Sequence, residues 1–234
     1  MKNEAISHKK TILVLWGLCI LGSCSVLPYI VHLNILPPTD SLFKIFLLTS
    51  AQSSLFFGII CGLTSWILPK TDLQPFRFAN PMNRIAYPGI IAGMLVGAII
   101  AFLDRTIFNS SVYSGIHPPI WAGALGSIYG GVNEEVLLRL FLFTLIYFGV
   151  RKVANKKIVA LWMVNGLVAL LFGLGHLPLA YQIASPTAFE ISRILILNGI
   201  PGLVFGWLYW SRSLWTAMFA HFVTDLMIHV LLIR

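Results

Sequence analysis

Seven long apolar runs, separated by short polar breaks, organise this chain. They cover 11–33, 42–68, 85–103, 119–149, 158–175, 188–210 and 213–232. A helix crosses the hydrocarbon of a bilayer with about 17–25 apolar residues, and these runs match or exceed that length. Prolines mark the breaks, at Pro37-Pro38, Pro69 to Pro81, Pro118-Pro119 and Pro178 to Pro186. The pattern predicts an all-α protein, a polytopic transmembrane bundle of 7–8 helices around a polar cavity inside the membrane. Two runs leave the count open. The 119–149 run is too long for one simple crossing, and Gly130-Gly131 is expected to divide it. The 188–210 run contains Asn198, Gly199, Pro201 and Gly202, which predict a kink or a split into two short helices. A split makes eight.

Composition supports the membrane reading. Of 234 residues, 58% are hydrophobic and 10% charged, against about 25% charged in soluble domains. One integral membrane domain is expected, in two stretches: residues 1–118 as N-terminal transmembrane helices and 119–234 as the helices that carry the chemistry. The net charge of +8 is no nucleic-acid footprint, because the basic residues form short clusters between apolar runs. Lys2, Lys9 and Lys10 precede the first run. Lys70, Arg77 and Arg84 follow the second, and Arg151, Lys152, Lys156 and Lys157 follow the fourth. Their alternation is the positive-inside pattern and predicts a cytoplasmic N-terminus. Cys19, Cys24 and Cys61 have no metal-site spacing and are expected as reduced packing residues. Leu21-Gly22-Ser23-Cys24 has the look of a lipoprotein cleavage box. The apolar run continues to Leu33, however, and favours a full first span.

The candidate chemistry lies in the acids. Of eight, Glu134, Glu135, Glu190 and Asp225 fall in or beside apolar runs. A charge at the bilayer centre costs about 2.5–3.5 kcal/mol on insertion scales, so buried ionisable clusters read as functional sites. Glu134-Glu135-x-x-x-Arg139 places Glu135 and Arg139 on one helix face, where they can pair. Glu134 projects elsewhere and is a candidate general base. Phe172-Gly173-Leu174-Gly175-His176 ends the fifth run. His221 and Asp225 share a face of the last run and can act as an imidazole with its carboxylate, or as two metal ligands. Glu190 and Arg193, three residues apart, are expected to neutralise each other. No HExxH, rhomboid-like Gly-x-Ser-Gly or phosphate-binding Gly-rich loop with Lys occurs.

In this order the three patterns resemble the CAAX protease and bacteriocin-processing (CPBP) family, also called the type II CAAX prenyl endopeptidase or ABI family. Its members are polytopic intramembrane endopeptidases with the pattern EExxxR, FxxxH and HxxxN or HxxxD in separate helices. The resemblance covers roughly residues 120–230. It implies hydrolysis of a peptide bond in a membrane-associated or lipidated protein or peptide. Glu134 would activate water, His176 would position it, and His221 and Asp225 would stabilise the oxyanion. Glu135 and Arg139 would be the supporting pair. Many members have Asn at the last position. Asp225 must therefore be protonated, orient His221 from behind, or ligate a cation, since an ionised carboxylate donates no hydrogen bond to an oxyanion. The expected mechanism is metal-free and needs no cofactor. The alternative is Zn2+ held by Glu134, His176, His221 and Asp225.

The expected partners are a peptide or protein substrate in the membrane and the lipid bilayer, with no nucleic acid. The expected setting is a bacterial cell membrane. A proton-coupled carrier and a non-catalytic immunity or scaffold protein are the competing functions. The first carries the absence of an inverted repeat against it. The second carries the presence of all three motifs. Residues 1–84 suggest no role beyond hydrophobicity, and the side to which the cavity opens is not legible.

Overall fold

A computed structural model describes residues 2–35, 41–77, 82–113 and 118–232, with side chains from 8, 41, 85 and 118 onward in those segments. The apolar runs fold as seven helical spans. The first joins α1 (Lys2–Ser25) and α2 (Leu27–His32), which part just before Pro28. The second is α3 (Leu42–Ile67) and the third is α4 (Met82–Thr106). The fourth runs from α5 (Ile120–Tyr129) through π-helical turns at Gly130–Glu134 and Val136–Phe143 into α6 (Thr144–Val150). The fifth joins α7 (Lys157–Gly175) and α8 (Leu177–Ile183). The sixth is α9 (Ala188–Ser211), and the seventh is α10 (Leu214–Leu226) with a π-helical end, Met227–Leu232. Six spans are long and apolar enough to cross a membrane by length and composition alone. The remaining one, over 120–150, carries Glu134, Glu135 and Arg139. The chain is thus an integral, multi-pass membrane protein.

Two expectations are corrected here. Gly130-Gly131 does not divide the fourth run, because the helix continues through it in π-helical form. Nor does Pro201 split the sixth: α9 is one helix with the proline inside. Lipid-embedded helices tolerate such prolines because neighbours satisfy the freed backbone groups. The count among the described residues is therefore seven.

The packing agrees with seven single crossings. Gly89, Gly93 and Gly97 repeat every fourth residue along α4. A methyl on each would meet Phe219, Val223 and Met227 of the seventh span in turn. The two spans therefore run parallel, as the third and seventh must. Small residues at four-residue spacing permit this close approach. Between the fifth and sixth spans, Gly202 approaches Ala169 and Gly173 approaches Leu195, an antiparallel order. Gly93→Val is expected to part the third and seventh spans, since its Cβ would sit 2.5 Å from the Ala220 carbonyl oxygen. The variant should melt earlier in detergent by the equivalent of about 1–3 kcal/mol, the usual cost of overpacking.

Side chains also stop the helices where the chain must turn. Ser41 caps α3, Ser213 caps α10, and Thr187 with Glu190 forms a capping box on α9. Glu190 also accepts from the Val112 backbone N–H. It does not neutralise Arg193, as its spacing had suggested. Arg193 instead pairs with Asp104 of α4, at 2.6 and 3.0 Å.

One end of the bundle is closed by the segment 71–77. Leu214 N–H donates to the Pro75 carbonyl at 2.9 Å, and Arg77 to that of Ser211 at 3.2 Å. Asp72 accepts from Tyr147 at 2.9 Å and pairs with Lys157 at 2.5 Å. Partial burial pushes the Asp72 carboxyl up. The hydrogen bonds from Lys157 and Tyr147 outweigh it and hold the group below its ordinary range. Beneath this segment Phe143, Tyr147, Tyr209 and Leu214 are almost fully buried. Phe143 and Tyr209 meet edge to face, and the Thr144 and Tyr209 hydroxyls share a hydrogen bond of 2.9 Å.

A candidate active site at the inner end of a cavity

Glu134 and Glu135 sit where the two π-helical turns meet, midway along the fourth span. Such turns recur at functional sites. Here they hold two neighbouring carboxylates at one depth and send them different ways. Glu135 is fully buried, and its Oε1 lies 2.9 Å from Nη1 of Arg139. Arg139 is also fully buried. It donates to the Gly202 carbonyl at 3.2 Å and stacks its guanidinium over Phe172 and Phe205. Asn133 anchors the same turn to the first span, donating to the Cys19 carbonyl and the Ser23 hydroxyl.

His221 enters from α10, about two turns into the seventh span, and is nearly buried. Its Nδ1 lies 2.7 Å from Glu135 Oε1. Glu135 thus bridges Arg139 and His221, and it holds the imidazole from behind. Nε2 faces the other way, 3.5 Å from Glu134 Oε2 and 3.6 Å from Asp225 Oδ2. Phe205 stacks on the ring at 4.8 Å. Two carboxylates therefore converge on one ring nitrogen, while a third fixes the ring.

The Gly130-Gly131 pair makes this convergence possible. A methyl on Gly130 would overlap Asp225 Oδ2 and lie 3.1 Å from His221 Nε2, and one on Gly131 would meet Phe222 at 2.9 Å. The glycines are one place where the fourth and seventh spans touch, and Gly123 against His229 is another.

His176 stands at the joint between α7 and α8, set there by the helix restart around Pro178. Its Nδ1 is 2.9 Å from the Phe172 carbonyl oxygen. A carbonyl only accepts, so Nδ1 carries the hydrogen and Nε2 of the neutral ring is an acceptor. The Phe172 ring lies 4.9 Å from His176 and 5.6 Å from His221 and so spaces the two imidazoles.

Glu134, His176, His221 and Asp225 all line one cavity of about 830 Å³. Glu134, His221 and Asp225 meet at its inner end, and the walls beyond are mainly apolar, with Gln52, Asp104, Gln182, Arg193 and Asn198 among them. The first two spans supply part of those walls, including Ser23, Ile30, Ile45 and Phe56. Nothing in the sequence of residues 1–84 marked them for this. Phe205 and Asn133 escaped notice as well, since a lone aromatic and an amide in an apolar run carry no pattern. Among the described residues, no three His, Cys, Asp or Glu side chains converge as a metal site.

A bundle of apolar spans with buried carboxylates and imidazoles at the end of a cavity defines the class: a polytopic membrane protein with an intramembrane candidate active site. A family model described as type II CAAX prenyl endopeptidase Rce1-like matches residues 116–227. That segment, just under half of the chain, holds every candidate site residue and is similar to the Rce1-like family, which is a family of proteases. No curated protein and no solved structure matches the chain.

Proposed function

We propose that this protein is an intramembrane endopeptidase that uses a Glu134-activated water and no metal. The observation that carries the reading is the convergence of Glu134 and Asp225 on His221 Nε2, with Nδ1 engaged by Glu135, at the inner end of the cavity. A water between Glu134 and His176 Nε2 gives up a proton to Glu134 as its oxygen bonds to the scissile carbonyl carbon. The C=O electron pair moves onto oxygen, where His221, protonated on both ring nitrogens with Nδ1–H held by Glu135, donates Nε2–H to the oxyanion. The C–N bond then breaks, and Glu134 passes its proton to the leaving nitrogen. The products are a carboxylic acid and an amine, and the base is restored. Glu135 and Arg139 are positioning residues that fix the His221 ring. The substrate is a segment of a membrane-associated polypeptide, whose apolar residues suit the cavity walls.

Asp225 acts in its protonated form in this scheme, because an ionised carboxylate beside the oxyanion would repel it. Asn supplies a donor at the same place without a proton to lose. Asp225→Asn is therefore expected to keep turnover of a fluorogenic membrane peptide within about tenfold, whereas Asp225→Ala loses about 10²–10³-fold, the usual effect of removing an oxyanion donor. Activity that depends on protonated Asp225 falls as pH rises through its pKa. Asp225→Asn should remove that alkaline limb from the pH–rate profile. Loss of activity in Asp225→Asn, or loss on chelation with rescue by zinc, would sink the metal-free scheme.

A further inference from the structure

The basic loops and the cavity lie at opposite ends of the bundle. Seven single crossings put the ends of the second, fourth and sixth spans on one face, together with the starts of the third, fifth and seventh. Lys70, Arg77, Arg151, Lys152, Lys156, Lys157 and Arg212 lie on that face. The opposite face has Lys44, Arg105 and Arg193 among its described residues, and Arg193 is neutralised by Asp104.

The cavity draws its lining mainly from the half of each span that leads to the less basic face. The first two spans contribute residues within 23–35 and 45–57, the fifth within 172–182, the sixth within 193–205 and the seventh within 221–229. Only Phe56, Phe57, Pro201, Phe205 and His221 pass mid-span into the half adjoining the basic loops, by less than about two turns. That half is sealed by Phe143, Tyr147 and Tyr209, and the segment 71–77 covers it from outside. At the far end the cavity reaches Gln182, which is exposed. On one flank it reaches Phe56, half exposed on the surface of α3. The inner end is therefore reachable from the less basic face, or from the half of the bilayer next to it.

Short loops rich in Lys and Arg stay in the cytoplasm. The geometry points to a protease whose substrate enters from the extracytoplasmic side. The substrate class is the apolar segment of an exported or membrane-spanning polypeptide, presented at the outer leaflet. Cytoplasmic tails, including those lipidated in the cytoplasm, are out of its reach. The proteolytic half of this inference rests on the function proposed above, and the sidedness does not.

Sidedness is tested by single added cysteines. The three native cysteines are buried or half-buried, so the parent protein sets the background. Gln182→Cys and Lys156→Cys are expressed in bacterial cells and treated with a membrane-impermeant maleimide. Gln182→Cys should label in intact cells at about ten times the parent signal or more, and Lys156→Cys only after permeabilisation. The reverse pattern, labelling of both in intact cells, or labelling of Gln182→Cys only after permeabilisation overturns the inference.

A second measurement joins sidedness to entry. Each purified protein, carrying a bulky maleimide, is assayed on a fluorogenic membrane peptide. The adduct at Gln182→Cys should lower turnover about tenfold or more, and the adduct at Lys156→Cys should leave it unchanged. Equal turnover in the two adducts overturns entry at this end. Absence of turnover in every unlabelled sample would instead count against proteolysis, while the labelling pattern would still decide the sidedness.

Discussion

Glu134→Gln is expected to reduce peptide cleavage by about 10²–10⁴-fold, the range contributed by a positioned general base. The amide matches the carboxylate in shape but cannot take a proton from water. The fold should survive the change. Glu134 keeps 22% of its side-chain surface exposed, and its nearest charged partner is His221 Nε2, 3.5 Å away. The variant should therefore melt in detergent close to the wild-type temperature. Turnover of a fluorogenic membrane peptide and thermal unfolding, measured on the same preparation, check both halves. Turnover within tenfold of wild type would remove Glu134 from the chemistry. A binding or scaffold protein would show no cleavage to lose.

Arg139→Leu is expected to cost about 3–5 kcal/mol of stability, because it strands a fully buried Glu135 carboxylate without its cation. The double variant Glu135→Leu/Arg139→Leu should recover most of that loss. Replacing a buried ion pair by apolar groups of similar volume is often neutral, and this pair is incompletely satisfied: Glu135 Oε2 and Arg139 Nε have no hydrogen-bond partner among the described residues. Activity should part from stability here. His221 Nδ1 loses its acceptor in the double variant, so the ring is free to turn and turnover stays low. Thermal unfolding separates the single from the double variant, and peptide cleavage separates the double variant from wild type. A double variant that regained both would confine Glu135 to holding helices together.

Much of the local structure was readable from spacing. The seven runs fold as helices, and Glu135 pairs with Arg139 four residues on, because helical neighbours at that spacing share a face whatever surrounds them. Where spacing was asked for more, it failed. Gly130-Gly131 looked like a break but is the contact that admits Asp225 and His221. Pro201 looked like a split but lies inside one helix. Glu190 and Arg193 looked like a self-neutralising pair. Glu190 instead caps α9, and Arg193 crosses to Asp104.

The sequence by itself therefore determined the membrane class, the spans, the acids in costly places and the family resemblance of residues 120–230. Those follow from apolar length and from periodicity along single helices, which are local quantities. Only the tertiary structure decided that Glu135 holds His221 from 86 positions away, that Asp225 faces the same nitrogen as Glu134, that the first two spans wall the cavity, and towards which end that cavity runs. Each of these depends on how helices lie side by side. That is set by close contacts at Gly89, Gly93, Gly97, Gly130 and Gly202, where the absence of a side chain lets two backbones meet.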